Sequence, residues 1–254
     1  MNDNTTLQVP FWLDTKPVTF PPSDLALTEP NGLLAVGGDL TSEWLLMAYS
    51  KGIFPWFNPG EPILWWTPDP RSVLYLEDIK IRRSLRQSIK KLENNHALKV
   101  TFDCNFKDVI LACAQVPREG QAGTWITHEM LTAYQSLHKA GHAHSVEVWA
   151  DNELVGGLYG VAIGKMFFGE SMFAKRTDTS KIALVALGLQ LQQWGFKLID
   201  TQVETQHLNS LGTCRIPRYE FEKRIKQQCA LQFPPHKWHL DEDWQTWIRA
   251  HLSK

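Results

Sequence analysis

The sequence predicts an α+β fold, in which a meander of antiparallel strands is followed by a buried helix and one further strand. The meander is predicted from three segments rich in β-branched and aromatic residues that are separated by turn residues at 151–152 and 164–165. These three strands are expected at residues 145–149, 154–163 and 166–173. Residues 181–194 are apolar on nearly all sides, which predicts a buried helix, and residues 197–202 follow as the next strand.

The first part of the chain predicts a small, separate α/β unit. Residues 1–28 are polar and contain prolines, which is typical of a surface arm. Glycines then interrupt a short apolar stretch, and a helix is expected from Thr41 or Ser42 to about Ser50, with Gly52 just beyond its end. The prolines of residues 65–70 stiffen the chain, so we predict an N-terminal domain at 1–70 and a larger domain at 71–254.

Three more helices are expected in the larger domain. Residues 82–93 place Leu85 and Ile89 on one apolar face, and residues 128–140 precede Gly141, a residue typical of helix ends. Ser180 is predicted to cap the buried helix. The region after His236 is expected to form a terminal helix.

The composition excludes several classes of protein. Hydrophobic residues make up 43% of the chain and charged residues 21%, as in ordinary globular proteins. The beginning of the chain lacks the pattern of a signal peptide, and no apolar run reaches the roughly 20 residues that span a bilayer. A cytoplasmic protein with no membrane association is therefore expected.

The cysteines and histidines give no sign of a metal site. The four cysteines show no C-x-x-C spacing, which argues against a zinc site or a disulfide framework. His142 and His144 form an H-x-H pair without a third ligand at metal spacing, and hydrogen bonding at the start of a strand is the favoured interpretation. No metal and no cofactor are predicted.

A local basic stripe stands out in a chain whose formal net charge is −1. It consists of Lys80, Arg82, Arg83, Arg86, Lys90 and Lys91. A charge run on a helix is usually only its solvated face. The same stripe could neutralise nucleic-acid phosphates without reading bases.

Two strands are expected to carry polar groups at their ends. Residues 169–173 contain Glu170 directly after Gly169, and residues 198–202 contain Asp200 and Gln202, which strand alternation places on one face. A carboxylate and an amide at this spacing can converge on one substrate atom. The pair could instead cap a neighbouring helix, and Glu170 could be a buried salt-bridge partner.

Two tryptophans are expected outside the core. Trp56 lies in residues 52–57 and Trp125 in residues 123–127, and both segments are rich in glycine, proline or threonine. Tryptophan is most often a core residue, but a rigid ring in a loop can stack on a nucleobase.

Taken together and in order, these segments resemble the bacterial leucyl/phenylalanyl-tRNA–protein transferases. The resemblance extends from about Glu29 to about Arg218. The segments that carry it are EPNGLLA at 29–35, GGDL at 37–40, GIFPWF at 52–57, LWW at 64–66, PDPR at 68–71, GTWIT at 123–127, GHAHS at 141–145, GESMF at 169–173, LIDTQ at 198–202, SLG at 210–212 and IPR at 216–218.

The resemblance implies an N-acetyltransferase-like (GNAT-type) domain after the N-terminal domain. It also implies transfer of Leu or Phe, and less well Met, from aminoacyl-tRNA to proteins that begin with Arg or Lys, which marks them for N-degron degradation. No cofactor is implied, and a monomer is expected. In the family, the positions of Asp200 and Gln202 hold the reacting groups and have been proposed as a proton relay.

The resemblance also assigns a substrate pocket. Its expected members are Trp56, Trp125, Leu158, Phe167, Gly169, Glu170, Leu184, Leu187, Ile199 and Thr205. The aminoacyl ammonium would meet Glu170, since a carboxylate is the natural partner of a cation. Leu158, Leu187 and Thr205 differ from residues found in relatives, which leaves the preference among donor residues open.

Two other functions compete with this interpretation. An acyl-CoA N-acyltransferase would need a glycine-bearing loop for the pyrophosphate before the buried helix, and residues 174–180 contain no glycine. A tRNA-binding module without catalysis would explain the basic stripe and the tryptophans. It would not explain an acid and an amide beside an apolar pocket.

Overall fold

The computed structural model describes residues 9–94, 98–116, 126–241 and 248. Within these residues the chain forms a four-stranded and a seven-stranded sheet, with helices packed against them. The protein is therefore a mixed α+β structure in which the smaller sheet belongs to the N-terminal region.

The smaller sheet has the strand order β1-β2-β4-β3. Its strands are β1 (Phe11–Leu13), β2 (Leu33–Gly37), β3 (Phe54–Pro55) and β4 (Leu64–Trp66). Helix α1 (Ser42–Ser50) lies between β2 and β3 in the chain, and the Thr41 hydroxyl caps it by accepting from the Trp44 backbone N–H at 3.4 Å. This helix is confirmed as predicted.

The prediction of a surface arm is wrong for residues 9–28. Strand β1 pairs in parallel with β2, and Phe20 and Leu27 are buried. The Phe20 ring packs edge-on against Trp44 and Trp65, at 5.2 and 4.9 Å between centroids. Phe20 and Leu27 are therefore enough to anchor the segment, although Phe11, Trp12 and Leu25 stay exposed.

The larger sheet has the strand order β11-β5-β10-β9-β8-β7-β6. Its strands are β5 (Arg71–Tyr75), β6 (Lys99–Phe102), β7 (Ala143–Ala150), β8 (Glu153–Ile163), β9 (Met166–Ala174), β10 (Leu198–Gln202) and β11 (Cys214–Ile216). The predicted antiparallel meander is confirmed in β7, β8 and β9. Strand β10 runs parallel to β9 because helix α5 (Thr179–Gln193) connects them by a crossover.

The described residues contain short 3₁₀ turns at Ser23–Leu25 and Leu76–Asp78, and five further α-helices. They are α2 (Arg83–Asn94), α3 (Phe106–Ala114), α4 (His128–Lys139), α6 (Gln206–Asn209) and α7 (Arg218–Cys229). Helices α2, α4 and α5 are confirmed to within two residues at each end. The predicted cap of α5 is wrong: Asp178 stands at its N-cap with φ 64°, and Ser180 lies inside the helix. The predicted terminal helix falls outside the described residues from 242 on, apart from Ile248.

One hydrophobic core joins both sheets. It contains Trp44 and Trp65 of the N-terminal region together with Tyr159 and Phe168 of the larger sheet. A second cluster packs α5 against the opposite face. Because the core is shared, the domain division at residue 70 stays a prediction. No described helix combines the length and the apolarity needed to cross a bilayer.

The H-x-H pair has a structural role at His144. Its Nδ1 lies 2.8 Å from Asp103, whose carboxylate also accepts from the backbone N–H groups of Ser145 and Trp238. The imidazole stacks on the Trp238 ring at 3.6 Å between centroids. Among the residues that the structure describes, no group of His, Cys, Asp and Glu is arranged to hold a metal ion.

Candidate active site

An apolar pocket opens beside strands β8, β9 and β10, with a volume of about 540 Å³. Leu158, Phe167 and Ile199 wall it from the sheet, and Leu184 closes it from helix α5. Phe167 and Ile199 are direct partners in the parallel pair of β9 and β10, so their side chains lie on the same face. Most of the surface is therefore suited to an aliphatic or aromatic group.

The structure brings most of the predicted pocket residues together. Those that line the pocket are Trp56, Leu158, Phe167, Gly169, Glu170, Leu184, Ile199, Gln202 and Thr205. Leu187 and Asp200 are fully buried and are not among the lining residues. Trp125 lies outside the described residues.

Trp56 stands at the mouth of the pocket and is 37% exposed. Its ring lies 5.8 Å from that of Trp66, whose indole N–H donates to the Trp56 carbonyl at 2.7 Å. The loop is thus braced by a second tryptophan, while the Trp56 ring remains accessible. This is the arrangement that a stacking partner for a planar ligand requires.

Glu170 is the polar centre of the pocket. Its Oε1 accepts from the Tyr49 hydroxyl at 2.6 Å and from Gln202 Nε2 at 2.9 Å, and its Oε2 accepts from the Tyr134 hydroxyl at 2.8 Å. The two tyrosine hydroxyls also contact each other. Burial raises the pKa of Glu170 to about 7, although these hydrogen bonds oppose the shift. Burial, and then the charge of Glu170, raise the pKa of both tyrosines well above 10, so both hydroxyls keep their protons.

The number of protons in this cluster decides what it can do. Tyr49, Tyr134 and Glu170 form a ring of oxygen–oxygen contacts. Each hydroxyl supplies one proton, so an ionised Glu170 leaves one contact of the ring without a hydrogen bond. A protonated Glu170 supplies the missing proton and satisfies the ring. The cluster can therefore hold a proton when the pocket is empty and release it when a cation arrives.

Asp200 and Gln202 lie in different surroundings. Both carboxylate oxygens of Asp200 accept from Arg71, at 2.8 Å from Nε and 2.7 Å from Nη2. The pairing of β10 with β5 shifts between Asp200 and Gln202, and Gln202 has φ 61°. This bulge breaks the alternation on which the prediction of a common face depended. Gln202 faces the pocket, whereas Asp200 points to Arg71.

The basic stripe follows helix α2 and reaches the neighbourhood of the pocket. All its members except Arg86 are exposed; Arg86 is half-buried and donates from Nε to the Ile81 carbonyl at 2.9 Å. On the same helix, Ser88 donates to Asp178 at 2.7 Å, and Asp178 stands at the start of α5. Ser180, two residues further, lines the pocket. The stripe and the pocket are thus joined through the start of α5.

Several residues of the site were not predicted to belong to it. Tyr49 and Tyr134 lie on apolar helix faces, where the hydroxyl of a buried tyrosine needs a partner, and that need was the available signal. Arg71 is a single cation at the start of an apolar strand, which gave a similar signal. His207 also lines the pocket, next to Ser180, and nothing in its sequence context distinguished it.

The chain matches one family over most of its length. The family model described as leucyl/phenylalanyl-tRNA protein transferase matches residues 73–226, and the model of that family's N-terminal domain matches residues 38–69.

Similar proteins named leucyl/phenylalanyl-tRNA–protein transferase occur in several bacteria. The protein of Hydrogenovibrio crunogenus is 64% identical, over 93% of this chain and 91% of its own length. That of Nitrosomonas europaea is 58% identical, over 87% and 92%. That of Nitrosospira multiformis is 53% identical, over 91% and 97%. Among solved structures, L-PGS from Bacillus licheniformis aligns with 69% of this chain and 57% of its own at 11% identity and a TM-score of 0.35, which is too low to support any argument.

Proposed function

The chain belongs to the leucyl/phenylalanyl-tRNA–protein transferase family, and we propose that it transfers leucine or phenylalanine from aminoacyl-tRNA to an N-terminal arginine or lysine of an acceptor protein. Methionyl-tRNA is the poorer donor. The new peptide bond places a different residue at the N-terminus, which marks the acceptor for N-degron degradation in the cytoplasm.

The observation that carries this proposal is an apolar pocket that ends at a half-buried carboxyl group. A leucyl or phenylalanyl ester carries an apolar side chain and an ammonium group on the same α-carbon. The wall of Leu158, Phe167, Leu184 and Ile199 suits the side chain, and Glu170 suits the ammonium through a charge-assisted hydrogen bond. An opposite charge favours the carboxylate, so donor binding would lower the pKa of Glu170.

The nucleobase of the tRNA end would lie at the pocket mouth. The accessible ring of Trp56 supports its role as a stacking partner for the terminal adenosine. We propose Trp125 as the second partner, on the family resemblance alone. Thr205, whose hydroxyl caps α6 by accepting from Leu208, borders the same opening.

The reaction needs little beyond positioning. The neutral α-amine of the acceptor attacks the ester carbonyl, a C–N bond forms, and the bond to the ribose oxygen breaks. The nitrogen loses one proton, and the ribose oxygen gains one. The ester is already activated and an α-amino group has a pKa of about 7.7–8.0, so orientation of the amine by Gln202 supplies much of what is required.

The exposed cations of the basic stripe would contact tRNA phosphates. Lys80, Arg82, Arg83, Lys90 and Lys91 are free to approach a backbone without reading bases. Arg86 was also predicted to contact tRNA. Because it donates a hydrogen bond to the Ile81 carbonyl, we expect it to contribute less to tRNA binding than the exposed cations do. The meander β7–β8–β9, the crossover helix α5 and the parallel strand β10 support a GNAT-like fold for the larger sheet. We expect the protein to act as a monomer without a cofactor.

The function is tested by incubating the purified protein with leucyl-tRNA and a peptide that begins with arginine. We expect leucine on the peptide, and none on a matched peptide that begins with alanine. Binding of tRNA without transfer would favour the tRNA-binding module. Acylation of the peptide from acetyl-CoA, or retention of the protein on immobilised coenzyme A, would favour the acyl-CoA enzyme.

A further inference from the structure

Arg71 is a buried cation that contacts Asp200, Phe54 and Phe221. Its guanidinium carbon lies 4.8 Å from the ring centroid of Phe54 and 4.6 Å from that of Phe221. Phe54 belongs to the smaller sheet and Phe221 to helix α7, so elements distant in the chain cover the guanidinium. Its Nε and Nη2 form a fork that binds both oxygens of Asp200. The side chain of Arg71 is thus fixed in orientation as well as in place.

Asp200 is held by three hydrogen bonds. Besides the two bonds to Arg71, its Oδ1 accepts from the backbone N–H of Gln202 at 2.9 Å. The carboxylate has no exposure and does not line the pocket. The fork of Arg71 and the backbone N–H of Gln202 are the groups that this carboxylate contacts. Asp200 therefore has no contact through which it could take a proton from an amine in the pocket.

The hydrogen bond from Gln202 to Asp200 stabilises an unusual backbone. Residues other than glycine rarely adopt positive φ, and Gln202 has φ 61° at the bulge of β10. The same bulge directs the Gln202 side chain so that Nε2 donates to Glu170 at 2.9 Å. In the part of the chain that the structure describes, Gln202 Oε1 accepts no hydrogen bond, so it is available to an N–H of a substrate.

We propose that Arg71 is a positioning residue for aminoacyl transfer. By fixing Asp200 it holds the bulge at Gln202, and the bulge presents the Gln202 amide to Glu170 and to the acceptor amine. Asp200 acts in the same way, as a holder of geometry and not as the proton acceptor. This inference rests on the proposed function and gives Arg71 and Asp200 the role of positioning Gln202 within the proposed active site.

A contribution to stability alone does not account for the arrangement. Buried ion pairs often stabilise a protein no better than apolar residues of the same volume, because both charges lose their hydration. The pair here also leaves Arg71 Nη1 without a hydrogen bond among the described residues. Apolar residues in place of this pair could not accept a hydrogen bond from the Gln202 N–H, and so could not hold the bulge.

The test is a double-mutant cycle of Arg71→Lys with Gln202→Ala, assayed as transfer of leucine from leucyl-tRNA to a peptide with N-terminal arginine. Lysine keeps the charge but loses the two-pronged contact. We expect Arg71→Lys to lower kcat roughly 10- to 100-fold, as a displacement of about 1 Å would, with KM for leucyl-tRNA unchanged. In the Gln202→Ala background the same change should have little further effect. Arg224→Lys, in the ion pair with Glu220 on α7, is the matched control and should transfer like the parent.

Asp200→Asn separates positioning from proton transfer. Asparagine cannot take a proton, but its side-chain oxygen can still accept the Gln202 N–H. We therefore expect Asp200→Asn to lower kcat no more than Arg71→Lys does. A loss well beyond that of Arg71→Lys, towards the 10⁴-fold end of the range for a missing general base, would identify Asp200 as the base and overturn the inference. Additive effects in the cycle, or a parental kcat in Arg71→Lys, also overturn it. Should Arg71→Lys not fold, Asp200→Asn takes its place in the cycle. If the parent itself fails to transfer, the proposed function is wrong, which is a different outcome.

Discussion

Replacing Glu170 by glutamine should stabilise the protein increasingly as the pH rises. The structure places this carboxyl among Tyr49, Tyr134 and Gln202, where burial opposes its ionisation. Glutamine has almost the same shape and carries no charge at any pH. The free energy of unfolding of the variant, minus that of the parent, should therefore depend on pH.

The size and direction of the effect follow from the pKa. A folded-state pKa of about 7, against an ordinary value of 4.5, means that the folded parent binds more protons than the unfolded chain between these values. The contribution of Glu170 to the free energy of unfolding is fully present below pH 4.5 and is lost as the pH rises through 7. The difference between variant and parent should grow over this window by at most about 3 kcal/mol, since one pKa unit corresponds to about 1.4 kcal/mol.

Urea unfolding of both proteins at intervals from pH 4.5 to 8 measures this difference. Glu77→Gln, at an exposed position, controls for the loss of a carboxylate in general. A difference that stays constant from pH 4.5 to 8 would show that Glu170 is not desolvated as the structure indicates. It would also show that Glu170 does not share a proton with the two tyrosines when no ligand is bound.

Three further predictions concern the ligands. Charge reversal at Arg82 and Lys90 should weaken tRNA binding for all tRNA sequences. It should also reduce the slope of log affinity against log salt by about one per lost phosphate contact. If gel-shift titrations show an unchanged slope, the basic stripe is only an ordinary solvated helix face. Trp56→Ala should weaken binding of puromycin, an aminoacyl-adenosine analogue, roughly 5- to 150-fold, whereas Trp12→Ala on the exposed strand β1 should leave the affinity unchanged. If Trp56→Ala binds puromycin with parental affinity, Trp56 is not a stacking partner. Leu184→Phe should narrow the pocket and lower kcat/KM for phenylalanyl-tRNA relative to leucyl-tRNA by roughly 10-fold or more, and an unchanged ratio would place the donor side chain elsewhere.

The fold was predictable where local patterns determine it. The apolar helix α5 and the alternating strands of the meander have periodicities that tertiary contacts do not override. Residues 9–28 were misjudged because composition was polar on average, while Phe20 and Leu27 individually enter the core. The cap of α5 was misplaced because Asp178 adopts a left-handed conformation fixed by its contacts with Ser88 and Lys181, which are not visible in the sequence pattern.

The site was predictable in its wall but not in its polar connections. Strand alternation and the family resemblance together located most of the lining residues. The partners of the polar groups are distant in sequence: Arg71 and Asp200 are 129 positions apart, and Tyr49 and Glu170 are 121 apart. The bulge at Gln202 also breaks the alternation, so spacing alone could not show that Asp200 and Gln202 face different surroundings.

These connections explain why the pocket holds a carboxyl group that can change its charge. A carboxylate that stayed ionised would be a half-buried charge without a counter-ion whenever the donor is absent, and burial of such a charge costs free energy. A fixed neutral amide would offer nothing to the donor ammonium. With a pKa of about 7, Glu170 takes up and releases a proton near neutral pH while Tyr49, Tyr134 and Gln202 surround it. Its complete ionisation therefore requires little free energy once a cation is present. In the proposed reaction, the fixed pair of Arg71 and Asp200 and the titrating Glu170 therefore have different roles. The pair would hold Gln202 in place, and Glu170 would match its charge to the occupancy of the pocket.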